Sequence, residues 1–150
     1  MKAIIQRVKN AKVFVNSKKI SEINSGYLLY LGISISDNEE DICWLVEKIV
    51  NMRLFNDNLN RLNKSILDLN GDILLVSQFT LQAKTKKGNR PSFINAAKKD
   101  IALPIYERFK KFLSKKIDKE ISEGIFGANM QVESVNDGPV TIILDSKNKY

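Results

Sequence analysis

A run of four apolar residues passes directly into a polar segment in Asp72-Ile73-Leu74-Leu75-Val76-Ser77-Gln78-Phe79-Thr80-Leu81. The apolar run predicts a short strand buried on both faces, as in the centre of a sheet. The polar residues that follow need partners, because burying an unpaired hydroxyl or amide costs about 1–3 kcal/mol. Two interpretations are therefore open for this segment: a strand end whose polar groups bond internally, or the floor of a site.

The length and composition indicate one compact globular domain. The chain has 150 residues, of which 43% are hydrophobic, which fits a single domain over residues 1–150. No apolar stretch approaches the roughly 20 residues of a membrane helix, and Met1 to Arg7 turns polar too soon for a signal peptide. We therefore expect a cytoplasmic protein that does not enter a membrane.

The absence of histidine limits the chemistry more than any motif. With no histidine and one cysteine, Cys43, the chain cannot build a Ser-His-Asp triad, a Cys-His pair or an ordinary zinc site. The helical pattern around Cys43 predicts a buried structural thiol. Catalysis would have to use carboxylates, lysine, hydroxyls, backbone amides or groups of the substrate.

The pattern on either side of the opening segment predicts an antiparallel β start, two helices and two closing strands. Asp37, with Glu40 three residues later, resembles a capping box for a first helix. Pro104 should lie in the first turn of a second helix. The predicted strands are 2–8, 11–15, 18–23, 27–33, 130–135 and 140–144; the second helix is 100–117; a turn spans 136–139; and the frayed tail is 146–150.

The charge balance favours an anionic partner. Lysine and arginine number 24 against 17 aspartate and glutamate, a formal net charge of +7. Four of the cations follow the polar segment in one loop around Gly88: Lys84, Lys86, Lys87 and Arg90. A phosphate backbone would suit this loop, and a merely solvated charged loop explains the pattern about as well.

Three motifs together are more specific than any one alone. Ser77-Gln78-Phe79-Thr80-Leu81, Arg90-Pro91-Ser92-Phe93 and Asn136-Asp137-Gly138-Pro139-Val140-Thr141 resemble the signature motifs of D-aminoacyl-tRNA deacylases. Ile5-Gln6-Arg7-Val8 and the run 126–132 are similar to that family too. The resemblance covers about residues 1 to 145, and it favours an active site at Ser77 to Thr80 over a plain strand end.

The resemblance implies an α/β fold: one compact, β-barrel-like domain with a mostly antiparallel sheet and two covering helices. It also implies a homodimer that binds tRNA and hydrolyses the ester of D-aminoacyl-tRNA or glycyl-tRNA, with no metal and no cofactor. The aminoacyl pocket would be lined by Ser77, Gln78, Phe79 and Thr80.

The remaining site residues also come from the resemblance. Gly138 and Pro139, joined by a cis bond, would enter the partner's pocket and exclude L-side chains. Arg7 would support that motif and Met130 would flank the pocket. Asn129 stands where many relatives carry aspartate, which weakens any role assigned to that position.

The chemistry implied by the resemblance agrees with the absence of histidine. Ser77 and Thr80 have no evident base to activate them, so water should attack the ester. Amides near Phe79 and Thr80 could hold the oxyanion, and a ribose hydroxyl of the RNA could assist. Two other classes stay open: an RNA-binding module without activity, and a structural homodimer without affinity for tRNA.

Overall fold

The computed structural model describes residues 1–149, and its elements form one curved sheet, a small hairpin and two helices. In chain order these are β1 (Lys2–Val15), β2 (Lys18–Ile23), β3 (Gly26–Gly32), α1 (Glu39–Asn51), β4 (Phe55–Asn56), β5 (Leu62–Lys64), β6 (Asp72–Ser77), a 3₁₀ helix (Phe79–Gln82), α2 (Lys99–Ile117), β7 (Ser122–Glu123) and β8 (Gln131–Asp145).

The main sheet confirms the predicted barrel-like, mostly antiparallel fold. Its strand order is β2-β1-β3-β6-β7, with β8 pairing β1. The pairs of β1 with β2, β3 and β8 are antiparallel, whereas β3–β6 and β6–β7 are parallel. The two ends of this path approach each other, because the Ser21 hydroxyl of β2 donates to the Glu123 carbonyl of β7 at 2.7 Å. The sheet is therefore nearly closed.

Strand β6 is buried on both faces, as its apolar run predicts. Successive side chains of a strand point to opposite faces. Ile73 and Leu75 accordingly join the core beneath α1 and α2, while Leu74 and Val76 join a second cluster with Val8, Val13 and Leu28 of the opposite face. Burial on both sides fixes β6 firmly and, with it, the point at which the polar segment begins.

Strand β1 corrects the prediction of two separate strands. It runs unbroken from Lys2 to Val15 through the polar pair Lys9-Asn10. On one edge its partner changes at that pair from β3 to β2, whereas on the other edge β8 pairs along the whole length. The continuous partner keeps the backbone extended where the sequence suggests a break.

Strand β8 corrects a second prediction, the turn at residues 136–139. The strand pairs with β1 in a single direction, from Phe14↔Gln131 to Lys2↔Asp145, so its two halves do not form a hairpin with each other. Val8 pairs with Asn136 and Gln6 with Thr141, which leaves residues 137–140 opposite Arg7 alone. We call residues 137–140 the β8 bulge.

The N-terminus of α1 differs from the prediction by one residue. Asn38, not Asp37, is the N-cap, and Asp41 completes the capping box. Asp37 is occupied elsewhere, because its carboxylate accepts hydrogen bonds from the Met1 ammonium group and from the Ser34 amide at 2.7 Å. The predicted cap therefore serves a contact between distant parts of the chain.

The segment predicted as a frayed tail begins in the same network. Ser146 is buried, its amide donates to the Met1 carbonyl at 2.9 Å, and its hydroxyl donates to Asp41 at 2.6 Å. Tyr150, the last residue of the predicted tail, lies outside the described residues. The prediction of fraying is wrong for Ser146.

Two details of the helices also depart from the sequence prediction. Helix α2 begins at Lys99, so Pro104 lies in the second turn and not the first. Cys43 is exposed, not buried, because about 100° per residue carries it beyond the buried stripe that contains Ile42 and Val46. Within residues 1–149, neither helix is long and apolar enough to cross a membrane.

Candidate active site

A cavity of about 570 Å³ lies where β3 and β6 end against the start of α2. Its wall is mostly neutral and combines apolar side chains with a few polar ones. The lining residues are Leu31, Ile33, Val76, Ser77, Gln78, Phe79, Ala97, Lys99, Ala102, Phe126, Gly127, Ala128, Asn129, Met130 and Val132.

Four residues predicted for the pocket lie in this wall: Ser77, Gln78, Phe79 and Met130. Thr80 does not line the cavity; its hydroxyl accepts a hydrogen bond from the Gln78 side-chain amide. Ser77 is the last residue of β6, and the Gln78 amide still donates to the Leu31 carbonyl of β3 at 2.8 Å. The sheet thus fixes the backbone of the wall up to Gln78.

The turn after Gln78 presents unused backbone donors. Phe79 and Thr80 open the 3₁₀ helix, and the first amides of such a helix have no partner within it. Among residues 1–149, neither amide donates a hydrogen bond, whereas the next one, Leu81, donates to the Gln78 carbonyl at 3.2 Å. Two adjacent free amides are suited to binding an oxyanion.

Two aromatic residues of the wall pack against other aromatic rings. Phe79 packs edge to face on Phe93 with the ring centroids 5.1 Å apart, and Phe126 packs on Tyr106 at 5.2 Å. Burial, with the Glu123 carboxylate adding to it, raises the pKa of Tyr106 well above its usual value. Tyr106 therefore stays neutral and acts as a packing residue behind Phe126.

The Ser77 hydroxyl is not hydrogen-bonded to a base. Within the described part of the chain, it makes no hydrogen bond to a carboxylate, an amine or any other side chain. A serine nucleophile needs such a partner to lose its proton. The geometry therefore offers a positioning hydroxyl and not an activated nucleophile.

The β8 bulge is separate from this cavity, since neither Gly138 nor Pro139 lines it. Both residues are exposed, and their peptide bond is cis, as the resemblance implies. Asn136 closes the base of the bulge: its side-chain oxygen accepts from the Val140 amide at 3.3 Å, and its nitrogen donates to the Thr141 hydroxyl at 3.0 Å.

Arg7 is the main support beneath the bulge. Its guanidinium is buried, donates to the Asp137 carbonyl at 3.1 Å and to the Leu54 carbonyl at 2.7 Å, and lies 3.3 Å from the Asp137 carboxylate. One side chain therefore joins the bulge to the chain segment that follows α1. The role in chiral selectivity that the resemblance implies for Arg7 stays a prediction.

The two lysine-rich surfaces differ in how far their charge is neutralised. On α2, Lys110 pairs with Glu107 and Glu123 at 2.7 Å, and Lys116 pairs with Glu47. In the loop after the polar segment, the four cations are exposed and belong to none of the ion pairs within residues 1–149: Lys84, Lys86, Lys87 and Arg90. The loop carries the less neutralised charge.

The sequence prediction missed Lys99, the one charged residue in the cavity wall as described. Its only sequence signal is its place at the start of a helix, where it looks like one more surface lysine. No periodicity brings the start of α2 to the end of β6; the fold alone does so.

The fold is that of known solved structures. The structure titled "c-Myc DNA Unwinding Element Binding Protein" matches with a TM-score of 0.91 and 43% identity, covering 97% of this chain and 98% of that one. A structure of a probable eukaryotic D-amino acid tRNA deacylase matches with a TM-score of 0.84 and 18% identity, over 95% and 97%. The second likeness concerns the fold: a nearly closed mixed barrel with two helices.

Sequence comparison identifies the family. The family model described as D-Tyr-tRNA(Tyr) deacylase matches residues 4–145. Two curated D-aminoacyl-tRNA deacylases, from Flavobacterium psychrophilum and Bacteroides thetaiotaomicron, are 54% and 55% identical over 149 residues, with 99% of each chain covered. The chain belongs to the D-Tyr-tRNA(Tyr) deacylase family, and the family resemblance drawn from the three motifs is confirmed.

Proposed function

We propose that this protein hydrolyses the ester between a D-amino acid, or glycine, and the terminal ribose of tRNA. The family and its curated relatives support D-aminoacyl-tRNA hydrolysis. The observation that carries the chemistry is the pair of adjacent free amides of Phe79, which lines the cavity, and of Thr80, which follows it, beside a Ser77 hydroxyl that is hydrogen-bonded to no base. Such a site stabilises the charge on the ester oxygen without a protein nucleophile.

Water is the attacking group in this mechanism. The ester carbonyl lies toward the amides of Phe79 and Thr80, which stabilise the oxyanion as it forms. The free hydroxyl of the terminal ribose lies next to the ester and assists the attack, so part of the catalysis belongs to the substrate. Ser77 and Gln78 position the aminoacyl group.

The protein acts as a homodimer in which each β8 bulge serves the cavity of the other copy. Gly138 and Pro139 are exposed and do not line the cavity of their own chain, which supports a role at the cavity of a second molecule. Rigid backbone there would clash with an L-side chain and leave room for hydrogen, so D-aminoacyl and glycyl esters are accepted. Met130 flanks the aminoacyl group.

The loop that contains Lys84, Lys86, Lys87 and Arg90 binds the tRNA backbone. Its cations lack carboxylate partners among the described residues, and Phe93, just beyond the loop, packs on Phe79 of the cavity wall. Phosphate contacts of this kind position RNA without reading its sequence. The reaction takes place in the cytoplasm, where tRNA is charged.

Hydrolysis of matched D-, L- and glycyl-tRNA by the purified protein tests the activity. We expect cleavage of the D- and glycyl esters and retention of the L-ester. Binding of tRNA with no turnover of any ester would contradict the proposal and favour an RNA-binding module. The oligomeric state in solution tests the dimer, because a monomer that retains chiral selectivity would contradict the role of the β8 bulge.

The tRNA surface is tested by two quadruple variants with equal loss of charge. Replacing Lys84, Lys86, Lys87 and Arg90 by glutamine should weaken binding of all tRNAs alike and reduce the salt slope, by roughly one for each phosphate that is no longer bound. The control replaces Lys110, Lys111, Lys115 and Lys116 of α2 by glutamine and should change binding far less. A larger effect of the α2 variant would place the RNA on that helix.

A further inference from the structure

Lys99 is the one charged residue in the wall of the cavity as described. Every other lining residue is neutral, and the polar ones carry only hydroxyl or amide groups. Lys99 is the first residue of α2, is exposed, and takes part in none of the ion pairs among residues 1–149, although Asp100 follows it directly. An exposed side chain in the cavity lining lies at the mouth, so Lys99 offers an unneutralised cation at the entrance.

The chemistry of the proposed substrate limits what this cation can bind. The aminoacyl end of the ester carries an ammonium group, which a lysine repels. The sugar and the base are neutral. The negative charge closest to the ester along the chain of the substrate is the phosphate that joins the terminal nucleoside to the rest of the tRNA. A lysine at the mouth of a cavity that holds the ester is suited to this phosphate.

We propose that Lys99 binds the phosphate on the 5′ side of the terminal nucleoside and thereby holds the ester in the cavity. The inference rests on the proposed function and names a specific contact between the site and its RNA. It differs from the role of the loop at Lys84 to Arg90, because no residue of that loop lines the cavity. Lys99 is a substrate-binding residue whose contact lies within one nucleotide of the reacting bond.

The test compares two substrates that share the ester and differ in the phosphate: a D-aminoacyl-tRNA and the same D-aminoacyl ester of adenosine. Lys99→Gln should raise KM for the tRNA about tenfold with kcat nearly unchanged, and should lower the salt slope of tRNA binding by about one. It should leave cleavage of the adenosine ester unchanged, because that ester has no phosphate. Lys99→Arg, which keeps the charge, should have a KM for tRNA close to that of the unsubstituted protein.

Lys98→Gln is the matched control, since Lys98 is exposed and adjacent in sequence but does not line the cavity. An equal effect of Lys98→Gln and Lys99→Gln would overturn the inference, because it would show only general surface charge. An equal loss of kcat on both substrates would also overturn it and place Lys99 on the oxyanion. Unchanged KM and salt slope in Lys99→Gln would also overturn the inference.

The outcomes separate this inference from the proposed function. Absence of D-aminoacyl-tRNA cleavage by the unsubstituted protein overturns the proposed function and the inference with it. Cleavage by the unsubstituted protein and by Lys99→Gln with equal KM overturns the inference alone. If the adenosine ester is cleaved too slowly to measure, the salt slopes of the Lys98 and Lys99 variants with tRNA decide.

Discussion

The cavity wall and the β8 bulge are built in opposite ways. The wall from Val76 to Phe79 continues a strand buried on both faces, and its backbone bonds directly to β3. The bulge leaves the sheet, exposes Gly138 and Pro139, and is held by the side chains of Arg7 and Asn136. One region is therefore fixed by the main chain and the other by side chains.

This difference determines how each region should respond to substitution. A wall that acts through backbone amides should tolerate the loss of a side chain, because the sheet still positions those amides. A bulge that depends on a few side-chain contacts should lose its shape when one of them is removed. Four predictions follow, from the largest expected effect to the smallest; three test this contrast, and one concerns a network outside both regions.

Arg7→Ala should give the largest effect, because it removes the main support of the bulge. The carbonyls of Leu54 and Asp137 lose their charged donor, and hydrogen bonds to charged groups contribute about 1.5–3 kcal/mol each. We expect the free energy of unfolding to fall by about 3–5 kcal/mol and the D-over-L selectivity to fall at least about tenfold. Urea unfolding and paired hydrolysis assays measure both.

Lys9→Ala is the control for Arg7. The Lys9 ammonium lies 3.7 Å from the same Asp137 carboxylate, but its side chain is 68% exposed. Exposed ion pairs contribute little, so the change in stability should stay within about 0.5 kcal/mol. Comparable losses in the two variants would show that net charge near Asp137 matters and not the buried contacts of Arg7.

Gly138→Ala should distort the bulge without removing any contact. Gly138 has φ +124°, and an added Cβ would lie 2.8 Å from a Val140 methyl carbon and 3.0 Å from an Arg7 nitrogen. Backbone strain of this kind costs about 1–3 kcal/mol, and selectivity should fall with stability. Gly88→Ala is the control, since φ is +68° there with no atom within 4 Å, and should cost only about 1 kcal/mol. Equal losses would mean that the bulge is not sterically confined.

Acid should destabilise the protein through a network that contacts neither region. Burial alone would raise the pKa of Asp41, but hydrogen bonds from Lys147, Ser146 and the Asn38 amide outweigh it and lower the pKa to about 2. A lowered folded-state pKa gives stability that is present above the ordinary value of 3.8 and is lost as the pH falls toward 2.

The expected loss through Asp41 is about 2 kcal/mol between pH 5 and pH 2. Thermal unfolding at a series of pH values measures it. Asp41→Asn should flatten the acid dependence of stability and leave D-over-L selectivity at neutral pH unchanged. An acid dependence equal to that of the unsubstituted protein would assign the effect to other carboxylates.

Ser77→Ala should give the smallest effect on the reaction. Its hydroxyl has no base among the described residues, and the amides of Phe79 and Thr80 remain in place when it is removed. We expect kcat/KM for D-aminoacyl-tRNA to fall by less than about tenfold, or roughly 1.4 kcal/mol. Single-turnover hydrolysis measures the chemical step. Complete loss of turnover in Ser77→Ala with binding intact would contradict a wall that works through its backbone. An ester trapped on Ser77 of the unsubstituted protein would contradict it too.

Much of the fold was accessible from residue patterns where those patterns are local. The apolar run of β6 predicts burial on both faces, and Leu74 and Leu75 do lie in opposite clusters. The failures share one cause, which is pairing between residues far apart in sequence. Neither the continuity of β1 nor the path of β8 can be read without knowing that the two strands pair along their length.

The chain ends and the site illustrate the same limit. The sequence pattern predicts Asp37 as a helix cap, but its carboxylate accepts a hydrogen bond from the Met1 ammonium group. The same ammonium group donates to the Ser146 hydroxyl, which is buried with it. Ser77, Gln78, Phe79 and Met130 were reached through motif resemblance, and the fold brings them together around one cavity. Their roles, and those of Arg7 and the basic loop, stay predictions. Lys99 was missed because only the tertiary fold brings α2 to β6.

The register of β8 allows the bulge to change while the paired residues of the strand stay in place. The strand pairs with β1 on both sides of residues 137–140, and the excursion begins after Asn136 and ends before Thr141. Its length or composition can therefore vary during evolution, or by loop grafting, without shifting a single pair of the ladder. Under the proposed role of the β8 bulge, substrate selection can diverge among descendants of this chain while the barrel stays the same.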